Sequence, residues 1–301
     1  MDIGVQDRLV TTNLLKEILQ IDMEVNPFNG LGDIHASYND NLLTYIKDDN
    51  YIDVIINNSC ISGVICTKST ASILPREITK VVHEDPNYAF FSLVNYFGKK
   101  AYSNFSSEIL SPTNTSGVSI SSYGVIIGKN VFIEPNVTIL SGVRIDDDVI
   151  IRAGSVIGLD TFQHQKTSKG IISPKHDGIL HIKSGVEIGA NSTISRGFSY
   201  RNTVIGRNCK LDAQVYIAHG THIGNNVIIC AGARIMGHVE VDDEAFIGPS
   251  STISSRVKLG TNSRTSIGSV VTKDVLPNQT VSGNFAIPHD KFIRNMKKVV
   301  I

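Results

Sequence analysis

The chain has 301 residues, 41% of them hydrophobic and 19% charged, which supports two or three domains and a core that needs no metal or disulfide staple. Lys plus Arg and Asp plus Glu both number 28, so net charge offers nothing to nucleic acid or to an anionic membrane surface. No run approaches the roughly 18 apolar residues of a membrane-spanning helix, so no transmembrane segment is expected.

The opening MDIGVQDRLV lacks the basic and apolar regions of a signal peptide. Cys60, Cys66, Cys209 and Cys230 show neither CxxC pairing nor zinc spacing, and a cytoplasmic protein with reduced thiols is expected. Thr12–Ile21 has helical spacing in Leu14, Leu15, Ile18 and Leu19, with Thr11 or Thr12 as the N-cap. Asp53–Asn58 and Ser62–Thr67 read as short strands. Residues 85–98 read as a helix with Asp85 at the N-cap, Pro86 at N1 and Gly98 as a stop. Residues 1–105 are thus expected to form a small α+β domain.

From residue 106 the pattern changes. Ile127, Ile133, Ile139, Ile145, Ile151 and Ile157 are six apart, and the spacing resumes one residue out of register at Ile182, Ile188 and Ile194. After a second shift it runs from Ile205 through Leu211, Ile217, Ile223, Ile229, Ile235, Val241, Ile247 and Ile253 to Leu259. A weaker column of small or β-branched residues, such as Val125, Val131 and Val137, lies two residues before each member, and Gly often follows it. A strand edge of four residues plus a two-residue corner has this period, and three edges close one triangular coil. Coils stack as parallel strands. About 19 hexads, allowing for degenerate ones, predict six to seven coils over residues 106–280.

Two stretches break the repeat. Residues 158–181 are too long for a coil and predict an extruded loop; residues 195–203 cause the second shift. Residues 276–288 leave the solenoid through Pro and Gly, and HDKFIRNMKKVV predicts a short basic amphipathic helix in a tail of residues 281–301.

The segments GVEIGANSTISRG, NTVIGRNCKLDAQVYIAHGTHIGNN and GARIMG resemble the UDP-3-O-acylglucosamine N-acyltransferases of lipid A synthesis. GDIHASYNDNLLTYIKDDNYID, VVHEDPNYAFFSLVNYF and VSGNFAIPHDKFIRNMKK resemble that family's nucleotide-binding domain, its following helix and its exit from the solenoid. The resemblance implies a mainly β fold, a left-handed parallel β-helix with a nucleotide-binding N-terminal domain. It also implies a homotrimer that moves an acyl group from acyl-CoA or acyl carrier protein to a sugar amine. No tightly bound cofactor is expected.

Such a transfer needs a base, an oxyanion donor and two substrates held together. His219 lies two residues after Ile217, at a corner, and an ordinary imidazole pKa near 6.5 suits base work. The resemblance makes it the catalytic base; the residues alone also allow a corner His bonded to a neighbouring carbonyl. Gly237 lies one coil further on, and by resemblance its N–H is the oxyanion donor, although a Gly also suits a tight corner. Asp212, seven residues before His219, is open to three roles: orienting the imidazole, holding the ammonium, or capping its own turn. The resemblance places the nucleotide base at Tyr45, Asp48 and Tyr51. Asp48 stands where the family has Asn, and a carboxylate accepts from a pyrimidine N3–H but cannot donate.

Two departures bear on the substrate. Arg256 occupies the place of the family's second site histidine; it suits a phosphate or carboxylate and cannot act as a base. The family's long C-terminal helical extension is nearly absent. Both favour a relative acting on another nucleotide-linked amino sugar, with the lipid A enzyme itself as an alternative. A γ-carbonic-anhydrase-like metal protein, suggested by His176 and His181, and a non-catalytic solenoid module are alternatives of other classes.

Overall fold

A computed structural model describes residues 8–36, 39–102, 105–111, 116–283, 286 and 288–299. Near the N-terminus, α1 (Thr12–Leu19) is capped by Thr11, whose hydroxyl accepts from the Leu14 N–H. There follow β1 (Gly30–Leu31), β2 (Leu42–Tyr45), α2 (Ile52–Ile56), β3 (Ile61–Cys66), α3 (Lys68–Ala71), β4 (Thr79–Val82) and α4 (Pro86–Lys100). The four strands form one parallel sheet in the order β1-β2-β3-β4. Leu15 of α1 and Phe90 and Val94 of α4 pack with Leu43 and Ile65 on one face. Ile55, Val64, Cys66 and Leu74 fill the other.

Two local expectations are corrected here. The stretch expected as a strand at 53–58 contains α2 instead. Asp48 caps the tight turn Asp49–Tyr51, which runs directly into α2 and buries Ile55. That cap and the burial outweigh the β preference of Val and Ile. Gly98 does not stop α4, which continues to Lys100. A Cβ at Gly98 would lie 2.7 Å from the Lys175 side chain, so the glycine serves close packing against the 158–181 insertion.

The rest of the described chain coils into a parallel β-helix with three faces, each an eight-stranded parallel sheet. That is eight stacked edges per face where the hexads predict six to seven coils. The additional edges, among them Glu108–Ile109, Ser119–Ile120 and Thr280–Val281, fall outside the regular aliphatic columns. The aliphatic columns form one continuous core from Val125 to Val275. Each fully buried Ile contributes roughly 1.5–3 kcal/mol. Asn130, Asn191, Asn208 and Asn226 turn corners with φ between 55° and 58°, a region Asn tolerates better than most residues. The glycines after the aliphatic column answer a different need. At Gly206 a Cβ would stand 2.1 Å from the Gly224 carbonyl oxygen of the next coil.

Both insertions project toward the N-terminal sheet. The first leaves the coil after the strand Val156–Leu159, forms an antiparallel hairpin (Gln165–Thr167 with Gly170–Ile172), and rejoins at Leu180–Ile182. It docks on α4: Asn87 Nδ2 donates to the Lys166 carbonyl (3.0 Å), the Ser168 N–H to Asp85 (2.5 Å), and the Lys175 N–H to Asn95 (2.7 Å). From the second, Phe198 and Tyr200 enter the core of the N-terminal sheet. The expected C-terminal helix spans His289–Val299. Among the described residues, no helix is long and apolar enough to cross a membrane.

Candidate active site

Successive coils align one series of corners. His219, Gly237 and Ser255 form one column, and Gly220, His238 and Arg256 the next; the latter three have φ of 65°, 61° and 67°. The same left-handed backbone recurs at corners along the whole β-helix, at Asp148, Gln214 and Glu244 for example, so it reports the corner geometry. His219 is buried, with 7% of its surface exposed. Its Nδ1 lies 2.6 Å from Thr161 Oγ1. Its other edge faces Gly237, where a Cβ would stand 2.9 Å from both Cε1 and Nε2. Only glycine lets the imidazole approach the backbone this closely. At a different corner of the triangle, the N–H groups of Lys129, Arg207 and Asn225 donate to Asp147, Asn225 and Asp243 one coil on, whereas in the column of Gly237 the His219 and Ser255 N–H groups also find no acceptor among the described residues. The Gly237 N–H has no such acceptor among the described residues.

Aromatic rings wall the imidazole. Phe198 meets His219 edge-on at 5.4 Å and stacks on His176 at 4.2 Å and on Tyr200 at 5.1 Å. His238 stands edge-on to His219 at 5.1 Å. In this dry setting the cationic form is disfavoured. Burial, and then the positive Arg256, hold His219 down to about 4, well below the ordinary value expected from sequence. Burial and the neighbouring His219 take His176 down to about 2. Burial also lowers His238, against the pull of Asp33.

Beside these corners, between the β-helix and the N-terminal sheet, opens a cavity of about 1160 Å³. Its walls include Tyr45, Asp48, Tyr51, Tyr200, His238 and Arg256. The expected nucleotide residues and Arg256 are therefore brought together. His219 does not line this cavity; His238, edge-on to it, and Tyr200, stacked on Phe198, do. Tyr45 packs on Phe90 at 4.6 Å and on Phe91 at 5.6 Å, and burial followed by the charge of Asp33 pushes its hydroxyl up to about 12. Tyr51 is 48% exposed, a free ring on the rim. One Asp48 oxygen accepts from the Asn50 N–H. Arg256 reaches from the β-helix to Asp33 of the N-terminal region (3.3 Å). Burial works to raise the Asp33 carboxyl, yet Arg256 and the His35 N–H hold it below its usual range.

Of the roles open to Asp212, orienting the imidazole does not fit the geometry of one chain. Asp212 lies exposed at a different corner, where its Oδ1 accepts from the Ala213 N–H at 2.7 Å. Its groove is shared with Arg152, Glu187 and Cys230, so within one chain it caps its own turn and does not orient His219. Thr161 holds that place. Sequence reading missed Thr161, because nothing in the spacing of a 24-residue insertion says which residue folds back onto the coil. Nothing in the spacing marks Asp33, Phe198 or Tyr200 either; His176 suggests only a metal ligand, and His238 is a histidine without a role. His181 pairs with Asp146 (2.9 Å), and His222 with the Asn202 carbonyl (3.1 Å). Among the described residues, no cluster of three or more His, Cys, Asp or Glu is arranged for a metal.

Comparison with known proteins agrees with this architecture. A family model described as "Bacterial transferase hexapeptide (six repeats)" matches residues 124–159 and 202–237. The chain is similar to a UDP-3-O-acylglucosamine N-acyltransferase of Methylorubrum extorquens, 34% identical over 159 residues, 53% of this chain and 45% of that protein. A second similar protein of that name, from Bordetella pertussis, is 30% identical over 170 residues, 54% of this chain and 46% of that protein. The matched segment thus spans about half the length of these curated relatives. Among solved structures, the UDP-N-acetylglucosamine acyltransferase from Campylobacter jejuni superposes with a TM-score of 0.50 at 22% identity, over 65% of this chain and 81% of that one, which speaks to the fold. The chain is a hexapeptide-repeat protein with a left-handed parallel β-helix, similar over about half its length to UDP-3-O-acylglucosamine N-acyltransferases.

Proposed function

We propose that the protein transfers an acyl group from a thioester, carried by CoA or by acyl carrier protein, to the amine of a nucleotide-activated amino sugar. The observation that carries this reading is the close approach of the His219 ring edge bearing Nε2 to Gly237, whose N–H has no acceptor among the described residues, beside a cavity rimmed by two tyrosines and an arginine. At about 1160 Å³ the cavity exceeds the roughly 300–1,000 Å³ common for drug-sized ligands, as a nucleotide sugar requires. Tyr45 and Tyr51 offer ring faces to the nucleotide base, Asp48 an acceptor for its N3–H, and Arg256 a cation for phosphate or carboxylate.

In the reaction the sugar nitrogen attacks the thioester carbonyl. His219 Nε2 takes the proton that the nitrogen gives up. The carbonyl oxygen becomes an oxyanion, which accepts from the Gly237 N–H. When the tetrahedral intermediate collapses, the C–S bond breaks and the thiolate takes a proton, leaving amide and free thiol. An imidazole held near 4 is neutral and ready at pH 7. The site lies at a corner of an open solenoid, and the reading includes a cyclic homotrimer with three sites completed between neighbours. Sedimentation of the active enzyme tests that assembly, and a competent monomer would rule it out. Arg256 at the position of the relatives' second histidine favours a sugar other than the lipid A precursor.

A thermal-shift panel of UDP- and dTDP-sugars, with CoA and carrier-protein donors, tests the substrate class. A ligand at 100 times its Kd stabilises by about 2.7 kcal/mol. The reading expects a shift with at least one nucleotide sugar; no shift with any nucleotide overturns it.

A further inference from the structure

The 158–181 insertion does more than dock on α4. Three of its residues stand in line behind the imidazole. Thr161 Oγ1 is 2.6 Å from His219 Nδ1 and 3.0 Å from His176 Nε2. The Thr161 backbone N–H also points at His176 Nε2, at 3.3 Å. A backbone N–H can only donate, so His176 Nε2 carries no hydrogen and its proton sits on Nδ1. That Nδ1 has no hydrogen-bond partner; Asp160 Oδ1 lies 3.7 Å off, already gripped by Arg196 at 2.7 Å. With His176 Nε2 as acceptor, the Thr161 hydroxyl donates to it. The hydroxyl's lone pairs then face His219, whose Nδ1 must be the donor.

We infer that Thr161 and His176 form a positioning relay, delivered by the insertion, that fixes His219 as the Nδ1–H tautomer and so keeps Nε2 bare toward Gly237. The catalytic role of Nε2 rests on the acyl-transfer reading above; the tautomer does not. In the relay the hydrogen bonds run one way, from His219 Nδ1–H to Thr161 Oγ1 and from Thr161 O–H to His176 Nε2. It differs from a carboxylate partner in carrying no charge. His176 is 1% exposed, and its ring is stacked on Phe198, so it stays in place and neutral. When His219 accepts a proton at Nε2, the aligned dipoles stabilise the imidazolium without a counter-ion. The charged and titratable groups around that imidazolium are Arg256, His238 and His176; burial and the Arg256 charge oppose protonation, so the relay's dipole is a favourable contribution from the insertion side.

The test uses the full-length protein labelled with ¹⁵N-histidine, with the His219 signals identified by their loss in His219→Ala. Solid-state ¹⁵N spectra of the wild type should show His219 and His176 both protonated on Nδ1 alone. Thr161→Val keeps the shape and removes the hydroxyl; it should leave His219 as a mixture of tautomers. It should also lower kcat on the order of 10–100-fold, as when an imidazole loses the partner that orients it, with KM for the nucleotide sugar unchanged. Thr161→Ser should restore both. A wild-type His219 protonated on Nε2, a Thr161→Val protein with unchanged tautomer, or a Thr161→Ser protein that recovers neither readout overturns the relay. If the wild type acylates no amino sugar, the acyl-transfer reading fails while the spectra still decide the relay.

Discussion

His219 and Gly237 stand one coil apart, and the imidazole lies so close to the glycine that a Cβ there would sit 2.9 Å from Nε2. In the proposed reaction one backbone position therefore sets both the base and the oxyanion donor. Gly237→Ala should push the imidazole off its site and crowd the oxyanion's approach. Overpacking of this kind costs about 1–3 kcal/mol of stability. Turnover should fall by about 10²–10³, the effect of losing one oxyanion donor. Steady-state kinetics beside a melting curve checks both, and near-normal turnover would remove Gly237 from the mechanism.

His219→Ala should lower kcat by roughly 10²–10⁴, the range for a lost general base. Nucleotide affinity should stay nearly unchanged, because His219 is not part of the cavity wall that holds Tyr45 and Tyr51. Calorimetry with the nucleotide alone separates the two quantities. A loss under about tenfold would mean that the amine arrives already neutral.

Arg256→Ala should raise the Michaelis constant more than it lowers turnover, since it removes binding shared by ground and transition states. It should also move the acidic limb of kcat/KM. In the free wild-type protein that limb belongs near the His219 value of about 4, held there by burial and by Arg256. Removing the guanidinium relieves repulsion on the imidazolium, so the limb should shift to higher pH. Profiles from about pH 3.5 to 8 check the direction; a shift downward would contradict the electrostatic assignment.

His176 couples the insertion to acid stability. Its value in the fold, about 2, lies below the ordinary 6.5 of an unfolded chain. The unfolded state therefore takes up a proton first as pH falls. Stability is fully present above about pH 6.5 and declines below it, by up to about 1.4 kcal/mol per pH unit for one imidazole. His176→Gln cannot titrate. It should be less stable than wild type at pH 7.5 but show a shallower loss toward pH 4.5. Denaturant midpoints across that range decide it, and parallel curves would show that His176 does not carry the effect.

The repeat was legible because a parallel β-helix writes its geometry into the chain. Ile205 to Leu259 recur every six residues, and each faces the same core. Helix caps were legible for a local reason: Thr11 and Asp85 satisfy N–H groups three residues away. Asp53–Asn58 reads as a strand yet lies largely in α2, because its fate is set by the Asp48 turn and by burial of Ile55, neither of which is a pattern in the segment. His219, Gly237, Tyr45, Tyr51 and Arg256 are proposed from the resemblance and from coil arithmetic; the structure sets His219 against Gly237 and puts Tyr45, Tyr51 and Arg256 on the wall of one cavity. Asp212 looked well placed at seven residues from His219, but seven residues cross an edge of the triangle and land on another corner. Thr161, His176 and Phe198 reach the site through insertions, which obey no repeat and acquire their positions only by docking.

The central claim is that His219 drives acyl transfer to the amine of a nucleotide-linked sugar. The most direct measurement is mass spectrometry of UDP- and dTDP-amino sugars incubated with an acyl thioester and either wild-type protein or His219→Ala. The account predicts an N-acylated nucleotide sugar and one equivalent of free thiol per turnover with wild type, at least about 10²-fold less with His219→Ala, and no product from a sugar whose amine is already acetylated. Wild-type protein that forms no amide with any of these sugars, or a His219→Ala protein that forms it at the wild-type rate, would contradict the account.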